Sequence, residues 1–357
     1  MKEKVLVAMS GGVDSSVAAC LLKEQGYAAM GVTLKLFDTE EVGMTSEKAC
    51  CKMSDIEDAR SVADNLEMPY YVFDFSGSFR EEVIDRFIAA YENGMTPNPC
   101  IDCNHYIKFK KLFEEGEKMQ QQYVATGHYA QVEYDAVSGR YLLKKAVDSH
   151  KDQSYVLYTL TQHQLAHVLF PLGSMEKPEA REIAQKYNLI NAQKKDSQDI
   201  CFAPDGDYAG FIKRTTGREY LPGDFVDQKG KVLGRHKGII RYTVGQRKGL
   251  GLALPQPMYV MRKDLEKNQV VLGHNEDLFT KSFDMYDVNW IACQVPASPL
   301  QLSAKIRYSQ KEYSARVVAT SETEAHVEFS EPQRAITSGQ AAVLYDGDIV
   351  VAGGTIR

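Results

Sequence analysis

The first two hundred residues alternate between two textures. Short apolar runs stand at VLVAM (5–9), AAMGVTLKLF (28–37), YYVFDF (70–75) and YVATGHYA (123–130). Runs of this length with little polar alternation predict strands buried on both faces of a parallel sheet. Between them, SSVAACLLKEQG (15–26), SDIEDARSVADNL (54–66) and REEVIDRFIAAYENG (80–94) repeat apolar positions at helical spacing. Gly26 marks one helix end, and Pro69 soon after Leu66 marks another. Ser54 with Glu57 predicts a capping box at the start of the second helix. Alternation of strand and helix predicts a doubly wound, Rossmann-like α/β domain.

Near residue 205 the pattern changes. Residues 206–278 are dense in glycine and short β-like runs: FVDQKGKVLG, GIIRYTVG, MYVMRKD and NQVVLG. From about 279 the chain is strand-rich, in LQLSAKIRYS, EYSARVVATSE, EAHVEFSE and QAAVLYDGDIVVAGGTIR. Alternating positions and short turns predict a small closed β-barrel. The expected division is 1–205, an α/β domain; 206–278, a small β-rich domain; and 279–357, the barrel. No internal repeat and no low-complexity tract interrupts it.

Composition supports this plan. The chain has 357 residues, 44% hydrophobic and 25% charged, enough for two or three real cores. Its first residues lack the features of a secretory signal, and no apolar run approaches membrane-spanning length. A cytoplasmic protein with no membrane partner is expected, and its seven cysteines (20, 50, 51, 100, 103, 201, 293) read as thiols. Net charge is −6, yet Lys229 to Lys248 carries Lys229, Lys231, Arg235, Lys237, Arg241, Arg247 and Lys248 with no acid. Such a surface attracts a phosphate backbone, although a solvated hairpin face has the same pattern.

SGGVDSS (10–16) sits between the first strand and the first helix. Gly11 and Gly12 allow close backbone approach, and the helix amides and dipole favour an anion. Ser10, Ser15 and Ser16 add hydroxyl donors, while Asp14 suits orienting the loop or helping to hold Mg²⁺. Neither the lysine-bearing phosphate loop nor the dinucleotide fingerprint is present, so no lysine here reaches toward a triphosphate. A loop built on amides and hydroxyls suits a pyrophosphate that will leave.

At 96–110 the chain reads TPNPCIDCNHYIKFK, with Pro97 and Pro99 predicting an extended loop around Cys100 and Cys103. A single C-x-x-C is a redox pair, half a metal site, or a nucleophile with a neighbour. No second one exists, which disfavours a four-cysteine zinc site. Cys201 stands in DSQDICF (196–202), far away in sequence. Two distant cysteines in polar loops of a nucleotide-binding domain suggest sulfur chemistry. Cys20, Cys50 and Cys51 read as packing residues, and Cys293 as buried.

SGGVDSS resembles the loop of the PP-loop ATP pyrophosphatases, which split ATP between α and β and adenylate their substrates. Together with TPNPCIDCN, ATGHYA (125–130), KDQSYVL (151–157) and DSQDICF, the whole chain resembles the tRNA-specific 2-thiouridylases. The resemblance implies ATP-dependent thiolation of the wobble uridine of tRNA(Lys), tRNA(Glu) and tRNA(Gln). It implies Cys201 as persulfide carrier and Cys103 as nucleophile, a second thiol that releases sulfur from the persulfide or closes a disulfide with Cys201. It places ATP on Ala8, Met9, Ser10, Gly11, Gly12, Val13, Asp14, Ser15, Leu34 and Gly127, with Mg²⁺. It places the target base on Asn98, Pro99 and Cys100, and tRNA on His128, Lys151, Asp152, Gln153, Arg307, Tyr308 and Gln340. A persulfide donor, either a relay protein or a cysteine desulfurase, is the second expected partner.

One departure matters. Some members have aspartate where this chain has Cys100, and that acid is given an acid–base role. The third thiol opens a second route, in which Cys100, Cys103 and Cys201 ligate a [4Fe–4S] cluster with one iron open for sulfide. Two further readings remain beside thiolation: a PP-loop ligase that forms an amide, and an ATP-gated RNA-binding module. Neither needs paired distant cysteines.

Overall fold

The computed structural model describes residues 2–38, 53–194 and 200–357. Its first sheet has five parallel strands in the spatial order Tyr70–Asp74, Ala28–Lys35, Lys4–Ala8, Tyr123–Ala125 and Val168–Leu169. Side chains alternate across the central strand. Val5 and Val7 enter one packed cluster and Leu6 the other, and all three are fully buried. The helices Val13–Glu24, Met53–Asn65 and Lys177–Lys186 cover the first face. The helical run from Cys103 to Lys118 covers the second. The expected doubly wound architecture is therefore present.

Several local expectations change. YYVFDF is an edge strand, with Tyr71 and Val72 exposed, because among the described residues no strand pairs beyond it in this sheet. YVATGHYA is a strand only over Tyr123–Ala125, after which Thr126 to Tyr129 leave the sheet and border a cleft. Met53 and Ser54 are both helical within Met53–Asn65, so Ser54 is not the cap. Residues 80–94 form a wide π-type turn (Arg80–Asp85) running into Arg86–Glu92.

The small second sheet orders Tyr259–Asp264, Gln269–Gly273, Gly223–Asp227 and Val232–His236. FVDQKGKVLG is thus a hairpin, whereas GIIRYTVG is only a short 3₁₀ turn at Ile239–Arg241. The helix Tyr208–Thr216 was hidden by the glycines on both sides of it and between its own turns.

The C-terminal strands close into a six-stranded antiparallel barrel. Phe279–Trp290 pairs with both Ala325–Arg334 and Ile349–Ile356, which joins the two ends of the sheet. Phe283, Met285, Val317, Val327, Phe329 and Leu344 fill its interior. A hairpin of Gln131–Asp135 and Arg140–Lys144 extends the barrel sheet through Ile349 and Lys144. The barrel docks on the second face of the parallel sheet, where Val343, Tyr345 and Val350 join Leu6 and Tyr155 in one cluster. Gly353 permits that approach: a Cβ there would lie 2.4 Å from the Tyr158 ring.

Candidate active site

A cleft of about 1000 Å³ opens at the carboxyl ends of the parallel strands. It lies where the chain reverses its winding direction, between Lys4–Ala8 and Tyr123–Ala125, the usual ligand position in an open α/β sheet. Its walls bring together residues far apart in sequence. The glycine loop, the C-x-x-C helix, the turn after Tyr123–Ala125, the segment around Cys201 and Tyr308 of the barrel all line it.

The loop is folded on itself. Gly11 adopts φ +71, and Gly12 caps the helix Val13–Glu24. Ser15 Oγ and Ser16 Oγ donate to Gly12 O at 3.1 and 3.0 Å, and Ser10 N donates to Ser15 Oγ at 3.1 Å. Ser16 is fully buried, so it shapes the loop and is not a hydroxyl offered to a ligand. Gly127 closes down from the neighbouring strand: a Cβ there would stand 2.7 Å from Ser15 N.

The cations absent from the loop arrive from elsewhere. Lys177 Nζ meets both carboxylate oxygens of Asp14, at 2.6 and 2.8 Å, and Tyr129 Oη donates to Asp14 Oδ1 at 3.0 Å. Lys194 Nζ reaches Gly11 O at 3.0 Å, Asp55 Oδ1 at 2.5 Å and Asp58 Oδ2 at 2.8 Å. Burial pulls the Lys194 pKa down, and its bonds to Asp55 and Asp58 override this, leaving it raised. Asn191 Nδ2 adds a bond to Gly11 O at 3.1 Å and one to Ser16 Oγ at 2.8 Å. Lys177, Lys194, Asn191, Asp55 and Asp58 were invisible to motif reading, because nothing in local sequence says which distant lysine the fold will bring back.

The C-x-x-C is helical and not an extended loop. Asn98 is the N-cap, its Oδ1 accepting from Cys100 N at 3.1 Å, and Pro99 begins the turn Pro99–Asp102. Asparagine at the cap followed by proline is a helix-start signal, and it was readable in TPNPC. Cys103 opens a π-helical stretch to Lys111, a departure common at functional sites. Cys100 is exposed, while Cys103 and Cys201 are half-buried against one aromatic cluster that includes Phe79 and Phe202.

Desolvation dominates the electrostatics here. It pushes the Cys103 thiol up to about 11, with Lys108 opposing and Cys100 and Asp102 adding to the rise. Cys100 is also raised: its side chain is open to the cleft, yet the surrounding walls desolvate the thiol, again with Lys108 opposing. Asp102 faces away from the cleft toward Arg86, with Nε to Oδ1 at 3.7 Å; burial lifts its pKa to about 6 against the pull of that cation. It does not stand in for the missing acid at position 100.

The remaining expected positions divide. Ala8, Met9, Ser10, Gly12, Val13, Asp14, Ser15, Leu34, Gly127, Pro99, Cys100, Cys103, Cys201, His128, Lys151, Gln153 and Tyr308 all line the cleft. Gly11 lies beneath it, against the Asp55 carbonyl. His128 is 7% exposed, bonded through Nδ1 to Thr126 Oγ1 at 2.7 Å, and burial then Lys108 hold it neutral. Asp152 spends its carboxylate on Ala146 N, Ser154 N and Ser154 Oγ. Gln153 Oε1 accepts from Tyr129 N. Arg307 Nη2 donates to Ala335 O and Thr337 Oγ1, and Gln340 Nε2 to Thr96 O. Of these four, Gln153 lines the cleft, while Asp152, Arg307 and Gln340 do not and instead tie turns of the chain together.

Among the described residues, no three His, Cys, Asp or Glu side chains assemble into a metal-binding group. Cys100, Cys103 and Cys201 do not form the ligand set that an iron–sulfur cluster requires. Cys50 and Cys51 lie outside the described residues, while Cys20 is buried and Cys293 half-buried in the barrel. Among the described residues no helix is long and apolar enough to cross a membrane.

Three family models match in succession. The tRNA methyl transferase HUP domain covers residues 3–205, the tRNA methyl transferase PRC-barrel domain 209–274 and the Aminomethyltransferase beta-barrel domain 280–356. The tRNA-specific 2-thiouridylase MnmA of Acetivibrio thermocellus is 50% identical, over 100% of this chain and 99% of that protein. Its namesake in Clostridioides difficile is 51% identical over the same shares. The MnmA 1 protein of Thermoanaerobacter sp. is 51% identical over 99% of this chain and 98% of its own length. Matched from end to end at this identity, the chain belongs to the tRNA-specific 2-thiouridylase family.

Proposed function

We propose that this protein uses ATP to replace the C2 oxygen of the wobble uridine of tRNA(Lys), tRNA(Glu) and tRNA(Gln) with sulfur. One observation carries the reading: in a chain that matches family members along its length, the glycine loop, Cys103 and Cys201 line a single cleft. An amide-forming ligase or an RNA-binding module has no use for two half-buried thiols beside its ATP loop.

The chemistry follows from what the carbonyl lacks. Oxygen at C2 is a poor leaving group. Attack of that oxygen on the α-phosphorus expels pyrophosphate, and AMP becomes the leaving group. Amides at the start of Val13–Glu24 hold the phosphates, Leu34 covers the adenine, and Gly127 leaves room beside the loop. Cys201 carries the sulfur as a persulfide, whose outer sulfur attacks C2 as AMP departs with the C–O electron pair. Cys103 then attacks Sγ of Cys201. The S–S bond breaks toward the sulfur now on C2, leaving the thiocarbonyl and a Cys103–Cys201 disulfide, which an external dithiol reduces. Lys108, whose charge opposes the rise in the Cys103 pKa, favours the attacking thiolate. A persulfide donor reloads Cys201.

The carboxylates around the loop are already held by lysines, Asp14 by Lys177 and Asp55 with Asp58 by Lys194. Among the described residues these carboxylates form no ready cage for Mg²⁺. The cluster route has no support in the donor geometry. For tRNA, we assign the target base to the rim at Asn98, Pro99 and Cys100, and the backbone to Lys151, Tyr308 and the exposed cations between Lys229 and Lys248. His128 and Gln153 lie at that rim, and we assign Asp152, Arg307 and Gln340 to tRNA as well, through the turns they hold. In this division 1–205 carries catalysis, and 206–278 with 279–357 grip RNA.

Nucleoside mass spectrometry of tRNA from cells lacking the gene tests the proposal. Restoration of 2-thiouridine by the wild type, but not by Cys103→Ser or Cys201→Ser, is the expected result. A methylated nucleoside in its place, or 2-thiouridine independent of the gene, overturns it.

A further inference from the structure

The glycine loop contains no lysine, and two ammoniums beside it are engaged with carboxylates: Lys177 with Asp14, and Lys194 with Asp55 and Asp58. A triphosphate arriving beside Asp55 and Asp58 is repelled by them unless the charge of Lys194 turns toward it. The two lysines differ in their freedom to respond. Lys177 is 9% exposed and clasps both oxygens of Asp14. Lys194 is 34% exposed, lines the cleft, and divides its three N–H groups among Gly11 O, Asp55 and Asp58.

We propose that Lys194 is a phosphate-binding residue held in reserve: Asp55 and Asp58 keep its ammonium at the loop until the phosphates of ATP replace one of them as its partner. This rests on the reading of the loop as the ATP site. The exchange is local. Nζ already touches the Gly11 carbonyl, one residue before the Gly12 cap from which the anion-facing amides begin. Swinging a flexible four-carbon stem trades one charge-assisted bond for another, so the net cost is small. Asn191 stays on Gly11 O and Gly12 O, so the loop keeps its shape while Lys194 moves. The placement supplies by tertiary folding the cation that lysine-bearing phosphate loops carry in their own sequence.

The exchange makes two predictions of opposite sign. Lys194→Gln removes the cation and weakens ATP binding about tenfold or more, with AMP affected far less, since one charge-assisted bond is worth roughly that factor. Lys194→Arg retains most of the affinity. Asp58→Asn removes a competitor for the ammonium and tightens ATP binding. A lysine that merely pins Gly11 gives the reverse pattern: Lys194→Gln weakens ATP and AMP alike, and Asp58→Asn leaves ATP binding unchanged or weaker. Calorimetric titration of the full chain with ATP, a non-hydrolysable analogue and AMP separates the two, with thermal melts showing that each variant is folded. Tighter ATP binding by Asp58→Asn together with ATP-selective loss in Lys194→Gln is the expected result; either alternative pattern overturns the proposal. A wild type that binds no ATP overturns the ATP reading as well, a failure distinct from a wild type that binds ATP while Lys194→Gln does so equally.

Discussion

Lys177 and Asp14 form an ion pair across 163 residues of sequence, with Nζ 2.6 and 2.8 Å from the two carboxylate oxygens. The pair fastens the helix Lys177–Lys186 to the first turn of Val13–Glu24 and fixes the carboxylate of the glycine loop. Tyr129 joins it from the third side. Such a pair is worth less than the damage done by breaking it, because the stranded charge remains partly buried. Lys177→Met leaves Asp14 with only Tyr129 Oη among these partners. We expect a loss of about 2 kcal/mol in urea unfolding, reduced from the fully buried case because Asp14 is 30% exposed. Weaker ATP binding accompanies it. An unchanged midpoint with unchanged ATP affinity contradicts the assignment.

Cys103, the proposed nucleophile, has surroundings that work against it. With its pKa pushed to about 11 by burial, only about one molecule in ten thousand holds a thiolate at pH 7. Alkylation of Cys103 by iodoacetamide, followed by peptide mass spectrometry, is expected to accelerate roughly tenfold per pH unit well above pH 8. Lys108→Gln removes the opposing cation and slows labelling at every pH below the plateau. A plateau near pH 8 refutes the desolvated thiol. The same shift has a stability sign. The folded thiol keeps its proton up to about 11 and the unfolded one only to about 9, so the folded state binds more protons between them. This contribution to stability is present below that window and is lost as pH rises through it.

Much of this was readable in the sequence, and the failures have physical causes. VLVAM and AAMGVTLKLF announced buried strands because Val5, Leu6, Val7 and Val32 bury side chains on both faces, which removes polar alternation. YYVFDF has the same composition but sits at a sheet edge, and edge position is a property of topology that composition does not record. Prolines drew attention to TPNPC as an extended loop, while the Asn98 cap and Pro99 at the first helical position encoded a helix start. Cys103, Cys201 and the glycine loop were each legible as motifs. Their meeting in one cleft was not legible without the family resemblance, nor were Lys177 and Lys194, whose roles exist only once distant helices pack.

Gly127 gives a steric test of the loop. A methyl group there would lie 2.7 Å from Ser15 N and 2.8 Å from the Asp14 carbonyl carbon, both backbone atoms that cannot rotate away. Gly127→Ala is expected to displace the start of Val13–Glu24 and raise the KM for ATP by about tenfold or more, since misplacement of about 1 Å in a positioned site can cost a hundredfold. Gly77→Ala, where nothing lies within 4 Å of the added methyl, serves as the control and leaves activity intact. Steady-state kinetics with saturating tRNA measure both; equal KM values for ATP in the two variants refute the contact.

The basic run from Lys229 to Lys248 makes the last prediction. All seven of its cations are exposed. Among the described residues, only Arg241 has an acid within salt-bridge distance, Asp207 at 3.9 Å. On a chain of net charge −6, a surface this uniformly positive attracts a polyanion and not a neutral or acidic protein. Each phosphate neutralised releases condensed counterions, so the logarithm of affinity falls with the logarithm of salt in proportion to the contacts made. Replacing Lys237, Arg241 and Arg247 together by Gln is therefore expected to weaken tRNA binding and to make its salt slope shallower by about 2. ATP affinity stays unchanged, because none of the three lines the cleft. Filter binding across a salt series, beside ATP titration of the same variant, separates this from a folding defect. If tRNA affinity falls with the salt slope intact, these cations do not touch the phosphate backbone, and the grip on RNA lies with Lys151 and Tyr308 at the cleft rim.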